Sequence, residues 1–129
     1  MLIGAVLFIN LQAAAVFIIN PAAYTSGFEV SGIPGQKLVQ GMGILFVMWN
    51  VPYIFAFIQP VRNRVALLSA VIMQAIGVIG ESLLLATLPM DHSNLVITAR
   101  RFIAIDGAGL AALIVALWIV QKSIPEADI

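Results

Sequence analysis

The chain has 129 residues, 62% of them hydrophobic and 9% charged, with a mean hydropathy of +1.09; soluble domains average roughly half apolar and a quarter charged. Six Lys and Arg balance six Asp and Glu, so no basic surface can neutralise a run of phosphates, and nucleic acid is not an expected partner. Cysteine is absent, which excludes disulfide scaffolds, thiolate metal sites and thiol redox chemistry. These features point to an all-α integral membrane protein. The length accommodates about four spans of about 20 residues each, so a single membrane domain is expected, an up-down-up-down four-helix bundle with no soluble domain.

The first span is expected over residues 2–19, apolar except for Asn10 and Gln12, and Asn20-Pro21 ends it because the residue before a proline avoids the helical region. It lacks the basic n-region of a signal peptide and is expected to be retained. Residues 20–37 hold Gly27, Gly32, Pro34 and Gly35 among Tyr24, Thr25, Ser26 and Glu29, a turn-rich composition read as a long loop. Phe28, Val30 and Ile33 can lay an apolar side of that loop on the bundle or the interface.

The second span is expected over 38–59, with Trp49-Asn50, Pro52 and Tyr53 inside it and Pro60 after it. A proline within a span removes one backbone bond and kinks the helix, so a kink is expected beside Asn50. Arg62 and Arg64 form a short basic connection. The third span, over 64–88, carries Gln74 and Glu81 and stops before Pro89. Met90 to Asn94 reads as a polar turn in which Asp91 or Ser93 can cap the next helix. The fourth span, over 94–122, carries Arg100, Arg101 and Asp106, and Pro125, Glu126 and Asp128 make a polar tail.

Charge counting sets the expected orientation. Arg62, Arg64 and Lys122 lie on the side of the termini, against Lys37 alone if Arg100 and Arg101 are inside the fourth span. Both termini are then expected to be cytoplasmic, in a bacterial inner membrane.

Ionisable groups in hydrocarbon are costly unless they face the bundle interior with a partner. With the last turn centred on residue 91, antiparallel helices of equal rise bring Glu81 level with Arg101, both about 15 Å from the turn. Gln74 falls near Asp106, Asn50 falls level with Gln74, and Asn10 and Gln12 lie midway along the first span. Ala66, Ala70, Gln74, Gly77 and Glu81 share one stripe of the third span, and Arg100, Ala104, Gly107 or Ala108, and Ala111 share one of the fourth. Small residues admit close helix approach in lipid, so both stripes are expected to face inward. Asp106 lies off the Arg100 stripe and is expected to meet another neighbour. Two readings of Glu81 with Arg100 or Arg101 stand open: a buried ion pair, whose breakage costs about 3–5 kcal/mol, and a proton- or ligand-handling carboxylate. Asn10, Gln12, Asn50 and Gln74 are read as midplane hydrogen-bond partners. Trp49, Trp118, Tyr24 and Tyr53 are read as interfacial anchors or lipid-facing bulk. His92 is the only histidine, so no metal site is expected; the sequence contains no nucleophile triad or phosphate loop and leaves any cofactor unidentified.

Four short spans, the Gly- and Pro-bearing first loop, the stretch Gly41-Met-Gly-Ile-Leu-Phe-Val-Met-Trp-Asn-Val-Pro-Tyr53 and the run Met73-Gln-Ala-Ile-Gly-Val-Ile-Gly-Glu81 resemble the DoxX-like bacterial four-helix membrane proteins. The resemblance is one of layout. It implies a four-helix bundle and a role as a small subunit associated with redox or respiratory assemblies; it transfers no site residue. Small multidrug transporters place their carboxylate in the first span, which here is uncharged. The functional expectation is a non-catalytic accessory subunit, or a binder of lipid, quinone or a hydrophobic small molecule, partnered by the bilayer and by other membrane subunits or a second copy. The alternatives are a proton-coupled carrier using Glu81 and Asp106, and a membrane enzyme using Glu81 as acid or base on a lipid-like substrate.

Overall fold

The structure, a computed structural model, describes residues 1–123; the tail expected at Pro125, Glu126 and Asp128 lies outside the described residues. The chain is all-α, with no strand among the described residues. Helices α1 (Leu2–Ile19), α2 (Gly32–Trp49), α3 (Val51–Ile58), α4 (Arg64–Thr87) and α5 (Ser93–Lys122) supply four segments long and apolar enough to cross a membrane, with α2 and α3 together making the second. This is the architecture of a multi-pass membrane bundle. Its burial pattern agrees: Leu67, Leu113, Val39 and Tyr53 are fully buried, whereas Ile76, Ile79, Leu83 and Leu84 face outward, where lipid is as good a solvent for them as the core.

The span boundaries differ from expectation mainly on the loop side. Residues 20–37 are not one open loop: two single-turn 3-10 helices, Pro21–Ala23 and Thr25–Phe28, lead to α2, which starts at Gly32 rather than at residue 38. The second span breaks where the proline predicts. Pro52 offers no N–H to the carbonyl four residues earlier, and the chain turns at Asn50, whose side-chain Nδ2 donates to the Phe46 carbonyl at 2.7 Å. That bond turns the Asn50 side chain inward at the break.

α4 and α5 form the most extensive helix contact, followed by α1 with α2. The second depends on Gly43, where an added Cβ would come within 2.8 Å of the Ala14 carbonyl oxygen and of Ile18. At one end of the bundle Phe17 is the hub of an aromatic cluster, with Tyr24, Phe28, Phe46 and Phe102 all at centroid distances of 5.0 to 6.3 Å. Phe28, from the loop, thus docks on the bundle, while Ile33 stays exposed. At the other end Lys122 lies over the Trp118 ring at 3.8 Å, pairing an interfacial aromatic with a terminal cation.

The start of α5 is capped by a group distant in sequence. Neither Asp91 nor Ser93 makes the expected side-chain cap. Instead Glu29 Oε1 accepts from the Asn94 and Leu95 N–H groups at 3.0 and 3.3 Å, and Glu29 Oε2 lies 2.6 Å from His92 Nδ1. Glu29 adopts a left-handed backbone conformation (φ 53°, ψ 33°), uncommon for a residue with a side chain, and this conformation ends the 3-10 turn from which the carboxylate reaches α5. A carboxylate at a helix N-terminus satisfies orphan N–H groups and complements the dipole. The His92 hydrogen bond and the two backbone N–H groups hold Glu29 below the usual carboxylate value of 4.5; the same bond to Glu29 raises His92 above its usual 6.5.

A pH dependence follows from those signs. The raised His92 contributes stability that is full below about 6.5 and is lost as pH rises through its elevated value; the lowered Glu29 contributes above about 4.5 and is lost as pH falls through its depressed value. The clasp is therefore strongest between those limits. Thermal melts of the detergent-solubilised protein should show a midpoint that falls from pH 6 to pH 9, and His92→Gln should flatten that slope. An unchanged slope in the variant would show that the clasp is not the titrating element.

Candidate functional site

Five polar residues of the spans converge on one partly open cavity of the bundle. It has a volume of about 570 Å³ and is walled by α1, α2, α4 and α5, with Asn10, Asn50, Gln74, Glu81 and Asp106 set among apolar side chains that include Phe46, Trp49, Met73 and Phe102. A volume of this size suits a small ligand, and a mostly apolar wall with a few placed polar groups is the usual composition of a binding site.

Each polar group reaches the cavity for a local reason. Asn50 is delivered by the helix break. Gln74, 3% exposed, is tied from both ends: the Tyr53 hydroxyl donates to its Oε1 and lies 3.2 Å from the Ala70 carbonyl, while its Nε2 donates to the Asp106 carbonyl at 3.2 Å. Gly109 leaves room for this amide, since a Cβ there would sit 3.0 Å from Gln74 Nε2. Gly77 does the same for Asp106, whose Oδ2 lies 3.2 Å from where a Cβ would project. Glu81 adjoins the Asp106 carboxyl across the α4–α5 contact. Two oxygens of this group are buried without a hydrogen-bond partner: Asn50 Oδ1 and Glu81 Oε2.

The expected pairing of Glu81 with Arg100 or Arg101 does not form. The one ion pair among the described residues is His92 with Glu29, and both arginines are exposed. The physical reason is the lean of helical side chains toward their own N-terminus. On antiparallel helices, residues at equal depth lean in opposite directions, so Glu81 leans into the bundle and Arg101 leans out of it. Asp106 leans back toward Glu81, and those two meet instead. The stripe of α5 carrying Arg100, Ala104, Ala108 and Ala111 faces outward, while Val96, Gly109, Leu113 and Ala116 face the core.

Helix length removes the penalty for leaving the arginines unpaired. The 30 residues of α5 span about 45 Å, more than the roughly 30 Å of hydrocarbon, so the helix projects beyond it and the long Arg side chains, leaning toward its N-terminal end, can snorkel to headgroup level. Arg100→Gln should therefore change folding stability by less than about 0.5 kcal/mol, as surface substitutions do; a loss near the 3–5 kcal/mol of a broken buried pair would restore the Glu81–Arg100 contact.

Of the other expected midplane residues, Asn10 lines the cavity, but Gln12 is exposed on the outer side of α1. It lies two positions beyond Asn10, a rotation of about 200° on a helix, so the two cannot share a face. Trp49, expected as an anchor, forms part of the cavity wall. Phe46 and Phe102 were not distinguished in the sequence from other apolar residues. They pack edge to face at 6.2 Å and, with Glu81, line both this cavity and a second one of about 460 Å³ that opens toward Phe28, Thr98 and Pro89. No group of His, Asp and Glu among the described residues could hold a metal ion. Compared with family models, characterised proteins and solved structures, the chain matches none.

Proposed function

We propose that this chain is a small multi-pass membrane protein whose bundle binds a hydrophobic small molecule carrying a polar group, lipid, quinone or another, and that it serves as a non-catalytic accessory subunit of a larger membrane assembly. The observation that carries this reading is the apolar cavity with Asn50, Gln74, Glu81 and Asp106 converging on it from three helical segments. The layout resemblance to DoxX-like proteins fits the same role. Mass spectrometry of the protein released from mild detergent should find a copurifying small molecule, and Ala13→Phe, which fills the cavity from α1, should deplete it. A variant that retains the same molecules at the same occupancy would overturn the reading.

A second reading, a proton-coupled carrier, is favoured by one feature: Glu81 stands where the two cavities meet, next to Asp106. Two adjoining carboxylates repel when both are ionised, and a proton or a cation relieves them. We also propose a bacterial inner membrane with cytoplasmic termini, on Arg62, Arg64 and Lys122. With Arg100 and Arg101 at headgroup level the count becomes three against three, so reporter fusions at the two termini are the test.

A further inference from the structure

We infer that the ligand of the mid-bundle cavity is a lipophilic amine, bound in its protonated form; this rests on the cavity being a binding site, and it specifies the polar group. Of the polar atoms at the cavity, the buried ones without a partner, Asn50 Oδ1 and Glu81 Oε2, are both acceptors. Each donor atom of the buried network has a partner within the protein. Asn50 Nδ2 donates to the Phe46 carbonyl at 2.7 Å, Gln74 Nε2 to the Asp106 carbonyl at 3.2 Å, and the Tyr53 hydroxyl to Gln74. The 2.7 Å contact also fixes the orientation of the Asn50 amide, since only its nitrogen can face a carbonyl.

The two unpartnered oxygens both need a donor. Asn50 is 1% exposed, lines the cavity, and its Oδ1 accepts nothing from the protein. Glu81 Oε2 is likewise buried and unpartnered, and the Asp106 carboxyl adjoins it. A buried acceptor left unmet loses its desolvation cost without return, so a complementary ligand brings N–H donors. Charge points the same way. Two acidic groups face the cavity, no Lys, Arg or His lines it, and the nearest arginines along α5 turn outward. Phe46, Trp49 and Phe102 add aromatic walls, which accommodate a cation better than an anion. A quinone carbonyl, an acceptor itself, cannot satisfy either unpartnered oxygen.

The test uses the full chain in maltoside micelles at neutral pH, with Trp49 fluorescence and calorimetry reading the binding of three probes: phenylbutylamine, phenylbutanol and decylubiquinone. The amine should bind at least about tenfold more tightly than the alcohol of the same shape, equivalent to about 1.4 kcal/mol. Glu81→Gln and Asp106→Asn, made singly, should each reduce that preference; the other variant stands in if one fails to fold. An amine no better than the alcohol, a preference surviving in both variants, or a quinone binding most tightly would overturn the inference while leaving the cavity as a binding site. Binding of none of the three would remove both.

Discussion

Gly43→Val should destabilise the bundle by about 3 kcal/mol, the upper end of what forced overpacking costs. The reason lies in what surrounds the missing side chain. A Cβ at this position would stand 2.8 Å from the Ala14 carbonyl oxygen, 2.8 Å from Ile18 Cγ1 and 3.0 Å from Phe17 Cβ. The first of these is backbone of a helix and cannot swing away, so α1 and α2 must separate. Without a hydrophobic drive between helices in lipid, close packing is a main source of their association, and separation forfeits it along the whole contact. Phe17 would move with α1, loosening the aromatic cluster it centres. Gly41→Val is the matched control: it lies in the same helix with nothing within 4 Å of its would-be Cβ, and should stay within about 0.5 kcal/mol of the parent. Thermal or denaturant unfolding in detergent measures both; equal melting of the two variants would mean that α1 and α2 do not meet at Gly43.

Gln74→Leu should cost about 1–2 kcal/mol although leucine is the more apolar residue. An interhelical hydrogen bond in a membrane averages only about 0.6 kcal/mol, but this amide serves two partners on two other helices, the Tyr53 hydroxyl and the Asp106 carbonyl. Tyr53 is fully buried, and its hydroxyl would retain only the Ala70 carbonyl at 3.2 Å. A polar group left with a poor partner in a dry interior carries most of its desolvation penalty. Tyr53→Phe removes the same bond from the other side, so in a double-mutant cycle the two changes should couple, the pair costing less than the sum of the singles. Strict additivity would show that the two side chains act independently. Because Asn50 Oδ1 and Glu81 Oε2 make no hydrogen bond to Gln74, the loss should appear in stability before it appears in ligand selectivity.

The stretches that cross the membrane were legible because the demand is one-dimensional: hydrocarbon requires about 20 apolar residues in series, and 2–19, 64–88 and 94–122 agree with α1, α4 and α5 to within a residue or two. The break at Asn50 was legible for a similar reason, since Pro52 withholds a donor wherever it sits. The start of α2 was not. Gly32 and Gly35 signal a turn to local reasoning, yet the helix begins at Gly32, with Gly35 buried against Val30. Gln74 near Asp106 also followed from counting residues along antiparallel helices.

What counting could not supply is rotation and lean. Depth alone paired Glu81 with Arg101, whereas the direction of the Cα–Cβ bonds sends one inward and the other out, and brings Glu81 to Asp106. Asn10 and Gln12 look equivalent in sequence, but only Asn10 faces the cavity. The cap on α5 comes from Glu29, 65 residues away, and no local signal near Ser93 could reveal it. The sequence by itself determined that there are four spans and that the second is interrupted at Asn50, because solvation by lipid acts on each segment separately and a proline withholds its donor locally. The tertiary structure decided which polar groups share a space and that the unmet ones are acceptors, because hydrogen bonding and charge depend on neighbours that the chain order does not place together.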